Sequence, residues 1–159
     1  MTQPELLLGV FLIALMAAVG LGGTARTLAR SRVEAAARQL AVGLEQARSA
    51  AEASGQPCSL LLGSRGWVAD GAADLPPCDL DEALLEPAVR LSHNLPAALR
   101  ISSNGLVLDG GTVVIAADGT ALQRCLVVSL PLGVVRLGKS TARPGALPRS
   151  GDCVVDPSL

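Results

Sequence analysis

The chain has almost no aromatic residues, with one Trp, one Phe and no Tyr in 159 positions. Aromatic side chains therefore supply little of the core volume, and the chain offers few platforms on which bases could stack. A single histidine, no C-x-x-C pair and no acidic cluster at ligand spacing leave no donor set for a metal. The net charge is −1, so no field steers a nucleic acid or an anionic surface toward the chain. What it has in quantity is aliphatic: half the residues are hydrophobic, and Leu, Val, Ile and Ala must fill the core. This length holds one compact domain plus an accessory segment.

Catalytic motifs are missing too. His93 sits in a loop-like Ser-His-Asn stretch without a G-x-S-x-G elbow, and reads as a surface histidine. Gly63-Ser64-Arg65-Gly66 and Asp109-Gly110-Gly111-Thr112 lack the Lys and the following helix of a phosphate loop. Asp70, Asp74, Asp79, Asp81 and Glu82 do not follow the spacing of a calcium loop. No enzyme activity, metal or cofactor is expected. Arg136, Lys139 and Arg143 form a modest basic tail, a slight pointer to DNA.

The most informative segment is the first. Residues 6–25 carry no charge, and residues 6–19 are nearly all aliphatic. A helix of about 20 such residues spans a bilayer of roughly 30 Å, so residues 1–25 read as a transmembrane or buried-core helix. The start, Met1-Thr2-Gln3-Pro4-Glu5, lacks the basic residues of a secretory signal. Arg26, Arg30 and Arg32 follow the apolar run, which by the positive-inside rule puts the rest of the chain in the cytoplasm. Cysteine usage argues for the opposite side, and a basic leader removed before Met1 reconciles the two. Glu5 is costly at the edge of an apolar helix unless paired. Either a free N-terminal ammonium neutralises it, or the head-group layer and the helix N-terminus hold it. Gly20, Gly22 and Gly23 each cost a helix about 1 kcal/mol relative to Ala. They mark a place where the helix can stretch or where another helix approaches closely.

Residues 26–56 continue as an amphipathic helix. Val33, Ala37, Leu40, Leu44, Ala47 and Ala51 recur every three or four positions as one apolar stripe. Arg26, Arg30, Glu34 and Arg38 run along another face, with Glu34 placed to pair Arg38. Gly55 and Pro57 end the helix.

Residues 57–139 change to short β-like runs at 58–62, 67–68, 99–103, 106–108, 112–117, 125–130 and 134–137, separated by Gly-, Asn- and Asp-containing turns. They predict one antiparallel sheet with a face on the helix stripe, an α+β fold. Residues 70–87 read as a long loop pinned by Cys78, and residues 140–159 as a Pro/Gly-rich tail restrained only by Cys153. Four cysteines allow three disulfide connectivities. Cys58–Cys78 and Cys125–Cys153 are favoured because each closes a loop without a core of its own, and four free buried thiols are the alternative.

A polar start, Glu5 at the edge of the aliphatic run from Leu6-Leu7, the glycine-weakened stretch and an amphipathic helix feeding a sheet together resemble type IV pilins and pseudopilins. Ala35-Ala36-Ala37-Arg38-Gln39-Leu40, Leu44-Glu45-Gln46-Ala47-Arg48 and Gly55-Gln56-Pro57 resemble the H-type minor pseudopilins of type II secretion and their pilus counterparts. The resemblance implies a type IV pilin-like fold, and a leader removed by a prepilin peptidase to leave an N-methylated Met1. It also implies that Glu5 pairs with the N-terminal amine of an adjacent subunit, and that helicity is lost at Gly20 to Gly23 in the filament. Partners would be an inner-membrane assembly platform and further copies in a helical homo-oligomeric filament. The chain would be single-pass in the inner membrane before assembly and extracellular afterwards. A minor tip or initiating subunit of a secretion or DNA-uptake machine, or a membrane-anchored binding domain that does not assemble, are the alternatives.

Overall fold

The computed structural model describes the backbone of residues 3–69, 74–81, 84–130 and 133–156. Within the first helix its side chains are described at residue 11 and from residue 24 onward. Helix α1, Gln3–Ser54, runs unbroken and ends where Gly55 takes φ +65°, a left-handed turn that glycine adopts without steric cost. The six residues of the apolar stripe are all buried, and Val33, Ala37, Leu44 and Ala47 are fully so. Each buried Val or Leu contributes about 1.5–3 kcal/mol, so this stripe is a main source of stability.

Two antiparallel sheets receive the helix where one was expected. In the first, β1 (Cys58–Gly63) lies between β2 (Gly66–Val68) and β4 (Leu99–Ile101). The second has the order β3 (Val89–His93), β5 (Gly111–Ala117), β6 (Arg124–Ser129), β7 (Val134–Ser140) and β8 (Cys153–Val154). Asp109 accepts two hydrogen bonds from the Arg100 guanidinium, at 2.9 and 2.8 Å, and one from its backbone N–H at 3.0 Å. Beside it, the expected strand at 106–108 is a single bridge between Val107 and Ile101.

Strand β6 is buried on both faces. Leu126 and Val128 join the core beneath α1, whereas Cys125 and Val127 form a second cluster with Val114 and Cys153 on the outer face. The C-terminal segment covers that outer face. It is tied down by more than Cys153: Thr141 donates from its N–H and its hydroxyl to the Asp152 carbonyl, and β8 adds a strand beside β7. The disulfides are Cys58–Cys78 and Cys125–Cys153, closing separations of 20 and 28 residues. Loops of this size restrict the unfolded chain by roughly 3–4 kcal/mol each in the chain-entropy account.

Trp67 locks the first sheet to the helix. Its indole Nε1 donates to the Leu40 carbonyl at 2.7 Å, and its ring lies over Gly43, where an added Cβ would stand 2.8 Å from Cδ1. Gly43→Val should therefore displace the indole and cost about 1–3 kcal/mol by overpacking. Chemical denaturation and a red-shifted tryptophan emission are the measurements, and an unshifted spectrum with full stability would contradict this account.

Candidate functional site

Helix α1 is the element whose residues point to function, and the domain decides which of its sides remains available. Strands β5 and β6 carry most of its packing. Polar clamps then fix it along its length. Arg32 pairs with Glu86 at 2.6 Å, ahead of β3, and Arg48 Nε donates to the Gly105 carbonyl at 2.9 Å. Gly105 itself, at φ +69°, lies against the Glu52 side chain. The opposite side of the helix stays in solvent, including Leu28 and Val42 at 51% and 55% exposure.

The least expected group is Arg124. It is 1% exposed, sits at the start of β6, and faces the helix. Its guanidinium pairs with Glu34 of α1 at 3.3 Å and with Asp156 near the chain end at 2.5 Å, while its Nε has no hydrogen-bond partner among the described residues. One buried cation therefore joins the helix, the central strand and the C-terminal segment. Glu34 also accepts from Arg30 Nε at 3.1 Å. The expected Glu34–Arg38 pair is not formed, because Glu34 turns toward the domain and Arg38 lies exposed on the solvent side. The hydrogen bond from Arg30, with smaller contributions from Arg124, holds the Glu34 carboxyl below its ordinary value, against the opposing effect of partial burial. The Arg100 hydrogen bond does the same for Asp109.

The other candidate residues are dispersed. His93 is exposed at the end of β3, so it closes a strand rather than lying in a loop. Strand pairing sets Arg136 opposite Val127 and Lys139 opposite Arg124, on opposite faces of β7, and Arg143 lies beyond it in the C-terminal segment. The basic tail thus does not form one surface. Asp74, Asp79 and Asp81 are exposed, while Asp70 and Glu82 lie outside the described residues. Among the described residues no group of His, Cys, Asp or Glu could hold a metal ion. A 460 Å³ cavity at the end of α1 is lined by Ala50, Ser54, Pro57, Pro76 and Asp79 among others. Met1 lies outside the described residues, and of Glu5, Gly20, Gly22 and Gly23 only the helical backbone is described. Among the described residues no helix is long and apolar enough to cross a membrane.

The sequence model of the family described as type II transport protein GspH matches residues 36–132, well over half of the chain. No curated protein and no solved structure matches. The matched stretch runs from the buried half of α1 through the hairpin that ends β6.

Two outcomes are expected of the Arg124 centre. Removing both acids, Glu34→Ala with Asp156→Ala, strands a buried cation and should cost roughly 3–5 kcal/mol, whereas Arg124→Met, which leaves two part-exposed carboxylates, should cost less. Denaturant titrations of the two variants decide it, and the reverse order would contradict the assignment. Because the folded state depresses the Glu34 pKa, its stabilisation is present above the ordinary value of 4.5 and is lost as pH falls through the lower folded-state value. Unfolding midpoints measured against pH should therefore decline below about pH 4.5, and less steeply in Glu34→Gln.

Proposed function

The chain belongs to the GspH family of type II transport proteins, a family of structural components, and we propose that it acts as a pseudopilin of the type II secretion system. In this reading it is held in the inner membrane by the apolar run at residues 6–25 and joins other pseudopilins in a periplasmic pseudopilus. A prepilin peptidase and an inner-membrane platform act on it before assembly. The observation that carries the reading is the division of α1 into two sides. The domain clamps one side from Ala29 to Ala51 and leaves the other open over the same length. A helix that served only to complete its own domain would have no use for a run that is apolar all round, followed by an exposed side bearing Leu28 and Val42.

Within this proposal Met1 is the processed N-terminus and Glu5 pairs with the amine of an adjacent subunit, because a carboxylate at that depth needs a partner of opposite charge. Gly20, Gly22 and Gly23 supply the stretch that adapts to neighbouring helices. The disulfides suit the oxidising periplasm. DNA binding finds no support in the placement of Arg136, Lys139 and Arg143.

The test is co-isolation from cross-linked membranes. Wild-type protein should bring down other pseudopilins of the same system, and Glu5→Ala should lose most of them and impair secretion. Normal co-isolation and normal secretion by Glu5→Ala would reject the role of Glu5. A wild-type chain that brings down no pseudopilin would leave the membrane-anchored binding domain in its place.

A further inference from the structure

Three arginines, Arg26, Arg30 and Arg32, follow the apolar run within seven positions. Such residues are disfavoured on the translocated side of a membrane, so their presence there needs a use. Arg32 has one inside the domain, its pair with Glu86 at 2.6 Å. Arg30 gives only its Nε to Glu34, and its side chain stays 62% exposed. Arg26, one turn earlier, is exposed and enters no ion pair among the described residues. The carboxylates around these arginines are already taken: Glu34 by Arg30 and Arg124, Glu86 by Arg32, and Asp118 by Arg90 at 2.7 Å.

The fold sets how near the bilayer this group lies. Helix α1 passes from the apolar run into the domain without a break, and from residue 24 onward the first residue it buries is Ala29. Ala29 is four positions beyond Ala25, about 6 Å at 1.5 Å per residue. The turn between β5 and β6 meets it there, where an added Cβ on Gly119 would stand 3.6 Å from the Ala29 Cβ. A head-group layer is roughly 5–7 Å deep. With residues 6–25 in the hydrocarbon, the turn therefore cannot stand clear of the head groups. Its exposed residues are Asp118, Gly119 and Ala121, and its one acid is neutralised by Arg90.

We infer that this end of the domain is a lipid-binding surface: the β5–β6 turn rests on the head groups, and Arg26 and Arg30 hold the phosphates of anionic phospholipids. The inference rests on the pseudopilin reading, which places residues 6–25 in the inner membrane. Arginines four positions apart are neighbours on one helix face. Each guanidinium offers a planar fork of donors that matches phosphate oxygens in pairs. An anionic surface attracts such groups, and no unpaired acid at this end opposes it. Because no loop separates anchor from domain, the same contacts fix the tilt of the domain on the membrane before assembly.

The four native cysteines are all in disulfides, so an introduced cysteine is a unique thiol. Ala121→Cys carries a fluorophore on the turn, and Asn104→Cys carries one at the opposite end of the domain, next to the residue that lies against Glu52. Full-length protein would be reconstituted in vesicles of phosphatidylcholine and phosphatidylglycerol, with a head-group spin label on one lipid or the other. The expected result is quenching at position 121 and not at 104, stronger from labelled phosphatidylglycerol than from phosphatidylcholine. Arg26→Gln should lower that preference about fivefold, and Arg26→Lys should keep most of it. An unquenched position 121, or equal quenching by the two lipids, would overturn the inference. Loss of the preference on adding a short DNA duplex would also overturn it and give the arginines to nucleic acid. Flotation separates this from the reading beneath. Protein that floats with the vesicles without quenching at 121 rejects the lipid surface alone, whereas protein that does not float rejects the anchored helix and the pseudopilin reading with it.

Discussion

The seating of one side of α1 is the contact on which the rest of the molecule depends. With a single Trp and a single Phe, the chain has no bulky groups to fill a core between two sheets. The helix stripe of Val33, Leu40, Leu44 and the alanines between them supplies that volume. Each sheet is placed by what it gives to this stripe. The first brings Trp67, whose indole needs both an acceptor, the Leu40 carbonyl, and a position without a side chain, Gly43. The second brings Leu126 and Val128 from the strand at its centre. Because the stripe occupies one side only, the seating also fixes, by exclusion, which residues of α1 remain outside.

The same constraint explains the other layer. A strand placed centrally under the helix has a second face, and on β6 that face is Cys125 and Val127. The C-terminal segment covers it and is attached at two adjacent points of β6, through Cys153 to Cys125 and through Asp156 to Arg124. Burying the Arg124 charge is costly, and the cost is offset only because acids arrive from both the helix and the chain end. The ion centre thereby couples the helix to the C-terminal segment through one strand.

The helix, its stripe, its stop at Gly55 and most strands were legible in the sequence, because each depends on residues close together in the chain. The favoured disulfide pairs are those observed. Strand β3 was not legible: Val89–His93 alternates only partly and lies between Pro87 and Pro96, so its strand character comes from pairing with β5. The split into two sheets, and the grip of Arg100 on Asp109 beside β4, are set by contacts that nothing in the local pattern announces. Arg124 gave no signal beyond being a lone cation before an apolar run. Glu34 had candidate partners four residues away on either side, and the partner that distinguishes it lies 90 residues further on.

By itself the sequence determined the length and sidedness of α1, the apolar character of its first half, most turn positions and the aliphatic nature of the domain. These follow from periodicity and composition, which act within a few residues. The tertiary structure alone decided that there are two sheets, that the C-terminal segment completes the second, and that a buried guanidinium ties helix to strap. It also decided which charges along α1 are spent on the domain, as with Arg32 and Glu34, and which, like Arg38, face outward. The reason is that pairing and burial are settled between residues distant in the chain, and a helix pattern shows that a side is polar without showing what lies opposite it.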